Sequence, residues 1–293
     1  MVIREVHEDL IPQVTDFLAQ QREFGYCRDW EGLFRYRCKR KEYPYGYAAM
    51  DGNKVVAFIG TIYSDRVIEG KTVPYCNMST WIVDSNYRSM LLGRMILERI
   101  FKVKDVFISS LTPSDSSREI SEKMGFQLLE RYQITIPIFP RVAQALNGSR
   151  EPLISFEGQE IQNHLSREDR VIYEDHRGLK CTHFLVKERA TGLYCYGIGT
   201  TATLRRLRSF GAKWLNLCYL SNVDVFARNF QRLKKYFWKY GRFLLLRYDS
   251  RLIPYAISSI ELKSRRARQF KSAAFSSCNL DNLYSELVTF NKY

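Results

Sequence analysis

The sequence predicts an α/β (α+β) fold of two domains, each a mixed, mostly antiparallel sheet flanked by helices. Three observations point there. A strand pattern ending in Trp81-Ile82-Val83 passes through a short turn into apolar helical spacing at Met90, Leu91, Met95, Leu97 and Ile100. Before it, Asp51-Gly52 and Glu69-Gly70-Lys71 punctuate alternating segments, as in an antiparallel meander. After it, the second half repeats the order strand, helix, strand.

Val2 to Val6 reads as a first strand, followed by a helix with Ile11, Val14, Phe17 and Leu18 on one apolar face. An aromatic, basic stretch comes next, with Phe24, Tyr26, Trp30, Phe34, Tyr36 and Tyr43. Tyr47 to Met50 and Lys54 to Ser64 make a hairpin about Asp51-Gly52, and Thr72 to Asp84 is the third strand of the meander. A short apolar run at Val106 to Ser109 leads to a helix over Ser116 to Met124 that stops at Gly125, a residue suited to the left-handed turn after a helix. Leu128 to Ile138 is one or two closing strands. Pro137, Pro140, Asn147-Gly148-Ser149 and Pro152 then mark a boundary. The expected domains are residues 1–140 and 156–293, with a linker at 141–155. In the second half, Cys181 to Glu188, Gly192 to Arg205 and Trp214 to Tyr219 read as strands. Asp224 to Tyr240 is a helix ended by Gly241, Phe243 to Arg247 a strand, and Leu280 to Phe290 a terminal docking helix.

Composition narrows the function. The chain has 293 residues, 45% of them hydrophobic, which suffices for packed cores. Its net charge of +14 calls for acidic partners such as coenzyme phosphates, a nucleotide-linked substrate, nucleic acid or an anionic membrane face. Seven cysteines without a Cys-x-x-Cys pair argue against a zinc site and a disulfide scaffold, and for a reducing compartment. With no signal peptide pattern and no apolar run of spanning length, a cytoplasmic location is expected. The basic runs Arg205-Arg206, Lys234-Lys235 and Lys263 to Lys271 read as solvated faces and a basic loop.

The chemistry concentrates at Val83 to Met95. A strand-to-helix junction directs backbone N–H groups and the positive end of a helix dipole at one point, where a pyrophosphate can sit, and Arg88 and Arg94 add charge. The stretch resembles the phosphate loop of the GNAT superfamily of N-acyltransferases, written Arg or Gln, two residues, Gly, one residue, Gly or Ala. Arg88, Leu91 and Gly93 fall on those positions, with leucine replacing the first glycine. About 30 residues on, Ser121-Glu122-Lys123-Met124-Gly125-Phe126 resembles the family's Tyr-Glu-Lys-Leu-Gly-Phe, with serine in the tyrosine position. The second half resembles a degenerate GNAT-like repeat by element order alone.

This resemblance implies an acyl-CoA donor, acetyl-CoA first, and direct transfer to an amine acceptor, with a sugar-linked amine as one candidate. The coenzyme would rest on the main chain of Ile82 and Val83 and on Ser89, Met90, Leu91, Leu92 and Gly93, with Arg88, Arg94 and Ser117 beside it. Ser121 stands where the family keeps its proton donor, and no glutamate occupies the central strand. Asn77 or Ser79 would then position a water and Asp84 would accept the amine's proton, with Tyr75, Asn77 and Ser79 on one face of the strand. Phe24, Trp30, Tyr36 and Tyr75 would line the acceptor pocket. His176, His183 and Cys76 are better read as structural. Two alternatives accompany this reading: a non-catalytic GNAT-like binding protein, and a Fem-type aminoacyl-tRNA-dependent transferase. Nucleic acid is therefore a less favoured partner, no metal is expected, and oligomeric state is left open.

Overall fold

The computed structural model describes residues 1–21, 32–35, 42–68, 71–103, 105–138, 151–204, 211–272 and 280–290. They form two compact units. The first holds Met1–Leu129, Ala267–Leu280 and Tyr284–Lys292; the second holds Glu130–Arg266 and Asp281–Leu283.

In the first unit, β1 (Val2–Glu5) pairs antiparallel with β2 (Gly46–Asp51), and β2 turns at Asp51 and Lys54 into β3 (Lys54–Ile68). Gly52 takes the positive φ of 58° that this tight turn demands. Next in order come β4 (Lys71–Val83), antiparallel to β3, and β5 (Phe107–Ser110), parallel to β4. On one face lie α1 (Ile11–Gln20) and α2 (Gly32–Arg35), whose Val14, Phe17, Leu18, Leu33 and Phe34 pack with Phe58, Ile62 and Ile82. On the other lies α3 (Leu92–Ile100), burying Leu92, Ile96, Leu97 and Ile100 against Val56, Ile59, Cys76 and Met78. α4 (Asp115–Lys123) follows β5, and Gly125 leaves it at φ 86°.

The second unit repeats this plan. β7 (Leu153–Ser155), β8 (Cys181–Lys187), β9 (Tyr194–Thr203) and β10 (Lys213–Leu220) form an antiparallel run. α7 (Val223–Gly241) then crosses to β11 (Phe243–Asp249), which is parallel to β10. The helix buries Val225, Phe226, Phe230, Leu233 and Phe237 on Phe184, Val186, Leu215, Leu217 and Leu246. At about 1.5–3 kcal/mol for each large apolar side chain, this seam is a main source of the unit's stability. α5 (Gly158–Gln162) and α6 (Arg167–His176) precede β8.

Each unit takes its next strand from the other half of the sequence. β6 (Gln127–Pro137) follows α4 in the chain, yet it pairs antiparallel with β11, Leu245 opposite Pro137. β12 (Leu262–Lys271) follows β11, yet its last residues pair antiparallel with β5, Gln269 opposite Ser110. Phe270 stacks on Phe107 there, ring centres 5.4 Å apart.

Several expectations need correction. Lys263 to Lys271 is no basic loop but lies in β12, where Arg268 is buried and Lys271 Nζ donates to the Met124 carbonyl at 2.6 Å. Lys234 is likewise buried, its Nζ 4.9 Å from the Phe230 ring centre. α7 ends at Gly241 as expected, and the left-handed residue after it is Arg242 at φ 51°. Gly241 also has a local reason, because a Cβ there would run into the Phe243 ring. Of the expected terminal helix only α8 (Glu286–Thr289) is helical, since Asn282 to Ser285 form bends. Glu69 and Gly70, Arg205 and Arg206, and most of the expected linker lie outside the described residues.

Candidate functional site

β4 and β5 stay paired from Tyr75 opposite Phe107 to Met78 opposite Ser110. β4 then runs on through Ser79 to Val83 while β5 has ended, so the parallel pair opens at its carboxyl end. That is where open α/β sheets accept ligands. A bulge marks the opening. Across the β3–β4 ladder Gly60 pairs with Ser79 and Phe58 with Ile82, which leaves one extra residue on β4, and Thr80 carries φ 48°. The Ser79 and Thr80 hydroxyls are buried without a hydrogen-bond partner. Unsatisfied buried hydroxyls are costly, and a ligand in the opening would complete them.

Beyond the bulge, the Asp84 N–H donates to the Val56 carbonyl at 2.9 Å. By the alternation of an antiparallel ladder, the main chain of Val83 faces away from β3 and that of Ile82 faces Phe58. Asp84 then caps a 3-10 turn, Ser85–Met90, its Oδ1 accepting from the Asn86 N–H at 3.0 Å. Lys54 Nζ lies 3.8 Å from its other oxygen. Tyr87 ties the turn to the β2–β3 hairpin by donating to Asp51 Oδ2 at 2.8 Å, which raises the pKa of the phenol.

Leu91 ends the turn at φ 55°, the left-handed conformation that glycine adopts freely. The leucine holds this conformation at a steric cost, and its side chain is 65% exposed. α3 begins at once with no side-chain cap on its first N–H groups, and Arg88 and Arg94 beside it in sequence are exposed, the latter bonded to Glu98 at 3.1 Å. Ser89 and Met90 are exposed and Leu92 is buried. Gly93 has a local reason: a Cβ would lie 2.5 Å from Trp81 Nε1, so the indole closes over the glycine.

The remaining expected residues are engaged within the fold. Ser121 is fully buried and donates to the Ser117 carbonyl at 2.9 Å, and Ser117 donates to the Ser114 carbonyl in the α4 cap. Tyr75 and Asn77 lie on the face opposite Cys76 and Met78, as alternation requires. The Tyr75 and Ser109 hydroxyls are 2.6 Å apart, and the Asn77 amide donates to Ser109 Oγ at 3.0 Å. Asn77 Oδ1 accepts from the Glu286 N–H at 2.9 Å. Glu286 itself is buried, and its Oε1 accepts from the Thr112 hydroxyl at 2.6 Å, just past the end of β5. Sequence reasoning missed Glu286, which is only an acidic residue in an apolar terminal stretch until the fold brings it beside β4. Phe24, Trp30 and Tyr36 lie outside the described residues.

His183 and His176 belong to the second unit. His183 Nδ1 lies 2.7 Å from the Tyr196 hydroxyl, and burial together with nearby His176 pulls its pKa down to about 4. Cys76 is a buried core thiol, and no acid or histidine cluster suited to a metal occurs among the described residues.

No protein-family model matches the chain, and no curated protein matches it in sequence. Solved structures do match. A GCN5-related N-acetyltransferase from Anabaena variabilis aligns with TM-score 0.61 at 11% identity, over 92% of this chain and 72% of that one. One from Kribbella flavida aligns with TM-score 0.58 at 13% identity, over 92% and 70%. A fungal GCN5-related glucosamine N-acetyltransferase region, part of a multi-domain β-N-acetylglucosaminidase, aligns with TM-score 0.56 at 12% identity, over 92% and 38%. The chain has the GNAT superfamily fold.

Proposed function

We propose that this protein is an acyl-CoA-dependent N-acyltransferase that carries an acyl group to a small amine. The observation that supports this most is the opening of β4 from β5, which ends at an uncapped helix and holds two unsatisfied buried hydroxyls. The residues fit the donor. The outward main chain of Val83 pairs with the amides of a pantetheine arm, in the manner of an added strand. The first N–H groups of α3 at Leu92 and Gly93, with the turn Ser89 to Leu91, receive the pyrophosphate, and Arg88 and Arg94 balance its charge. The bound donor supplies an activated thioester. Ser79 and Thr80, whose buried hydroxyls have no partner, sit at the bulge beside the opening. The acceptor enters on the α1 and α2 face, where Tyr75 lies.

Ser121, Asp84 and Asn77 serve by holding α4, the 3-10 turn and the C-terminal segment in place. Amino sugars are the first acceptors to screen. Calorimetric titration with acetyl-CoA, longer acyl-CoAs and free CoA tests the reading. Saturable binding weakened at least tenfold by Arg88→Glu supports it; binding indifferent to that change contradicts the site. Binding without transfer to any amine would favour a non-catalytic role, consistent with Leu91 and Ser121. No binding would leave the tRNA-dependent reading to test.

A further inference from the structure

We infer that Glu286 is the proton acceptor for the incoming amine. This rests on the acyltransferase reading and adds the group which that reading lacks. An amine that is an ammonium at neutral pH must lose a proton before it can attack, and β4 itself offers no carboxylate. Among the described residues of the first unit, Glu286 is the one acidic side chain that is buried. Its position follows from two contacts with the strands. The Asn77 side chain holds its backbone N–H at 2.9 Å, and the Thr112 hydroxyl donates to its carboxylate at 2.6 Å. Asn77 lies one residue before the last β4–β5 pair, and Thr112 lies two residues after the end of β5. The carboxylate is thereby fixed where the strands part, on the face that carries Tyr75 and Asn77. Ser79, next along that face, keeps its hydroxyl buried and unsatisfied. Beneath, the Tyr75–Ser109–Asn77 hydrogen bonds lock the clip that carries the glutamate.

The balance is as follows. One proton of the acceptor's ammonium passes to the Glu286 carboxylate, and the freed lone pair forms the C–N bond at the thioester carbonyl. The C–S bond breaks with its electron pair going to sulfur, and the second nitrogen-bound proton passes to that sulfur. Glu286 returns its proton to solvent.

The test compares the full-length protein with Glu286→Gln and Glu286→Asp. Gln keeps the Asn77 clip and a partner for Thr112 but cannot take a proton. Thiol release from acetyl-CoA is followed with glucosamine, with a lysine-containing peptide and with water as acceptors, beside calorimetric binding of acetyl-CoA and thermal melting. The expected result is unchanged acetyl-CoA affinity in Gln with turnover lowered on the order of 10²–10⁴-fold. In the wild type kcat/KM should rise with pH as a carboxylate ionises; Gln should lose that limb and Asp should regain part of it. Equal turnover and pH profile in wild type and Gln overturn the role of Glu286 while leaving the donor site standing. A wild type that binds no acetyl-CoA overturns both. If Gln melts early, Asp decides: a stable Asp variant without any carboxylate limb also overturns it.

Discussion

Replacing His183 by glutamine should remove a pH dependence from the second unit's stability. The ring is held by the Tyr196 hydroxyl at Nδ1, while Nε2 is buried with no hydrogen-bond partner. Burial and the neighbouring His176 therefore oppose a charge on the ring, and the pKa falls from 6.5 to about 4. The sign follows from proton counts. Between pH 6.5 and 4 the unfolded chain holds a proton at this histidine and the folded one does not, so stability falls as pH falls through that window and is fully present above it. A shift of this size is worth about 3 kcal/mol, roughly 1.4 kcal/mol per pH unit. Glu130 acts with the opposite sign: its burial and Asp249 raise its pKa, which favours the folded state on acidification. The wild-type minus variant difference isolates the histidine. Urea denaturation from pH 7.5 to 4 should show the glutamine variant, which can still hydrogen-bond the Tyr196 hydroxyl, losing less stability than wild type. Parallel losses in both proteins would refute the reasoning.

Leu91→Gly should stabilise the protein by about 0.5–1 kcal/mol, because left-handed strain of roughly 1–2 kcal/mol is relieved against the greater freedom of an unfolded glycine; a urea midpoint that falls would contradict this. Gly93→Ala should cost about 1–3 kcal/mol, since the Trp81 indole must move from the added Cβ, and tryptophan fluorescence should report the shift. Asn77→Ala removes the acceptor for the buried Glu286 N–H, at about 1–3 kcal/mol. Limited proteolysis should then cut near residues 280–290 sooner. Ser121→Ala should barely change turnover, because its hydroxyl serves a helical carbonyl.

Much of this was legible in local pattern. The hairpin at Asp51-Gly52, the strand ending at Val83, and the apolar stripe of α7 each follow from residues near one another in sequence. α6 was readable too, for Ser166 caps it by accepting from the Asp169 N–H at 3.1 Å, a signal that went unused. What local pattern does not carry is pairing at long range. Lys263 to Lys271 looks like a charged loop because one strand must serve a largely exposed start and a buried end, where Arg268, Gln269 and Phe270 are enclosed. Glu286 gains its meaning from Asn77 and Thr112, far away in the chain. The leucine at position 91 weakens the motif by its letters, yet it adopts the left-handed angle that a glycine takes freely. Gly241 does end α7, and a close contact with the Phe243 ring gives it a second reason.

The strand assignment also sets an order of assembly on the ribosome. The second unit has β6 through β11 once Asp249 has been made, since β6 precedes it in the chain. The first unit, begun earlier, must wait for β12 to cover β5 and for Glu286 to reach Asn77. Until then the nascent chain carries an open strand edge, a template for wrong pairing. A stalled or truncated product lacking β12 would offer that edge to the quality-control machinery.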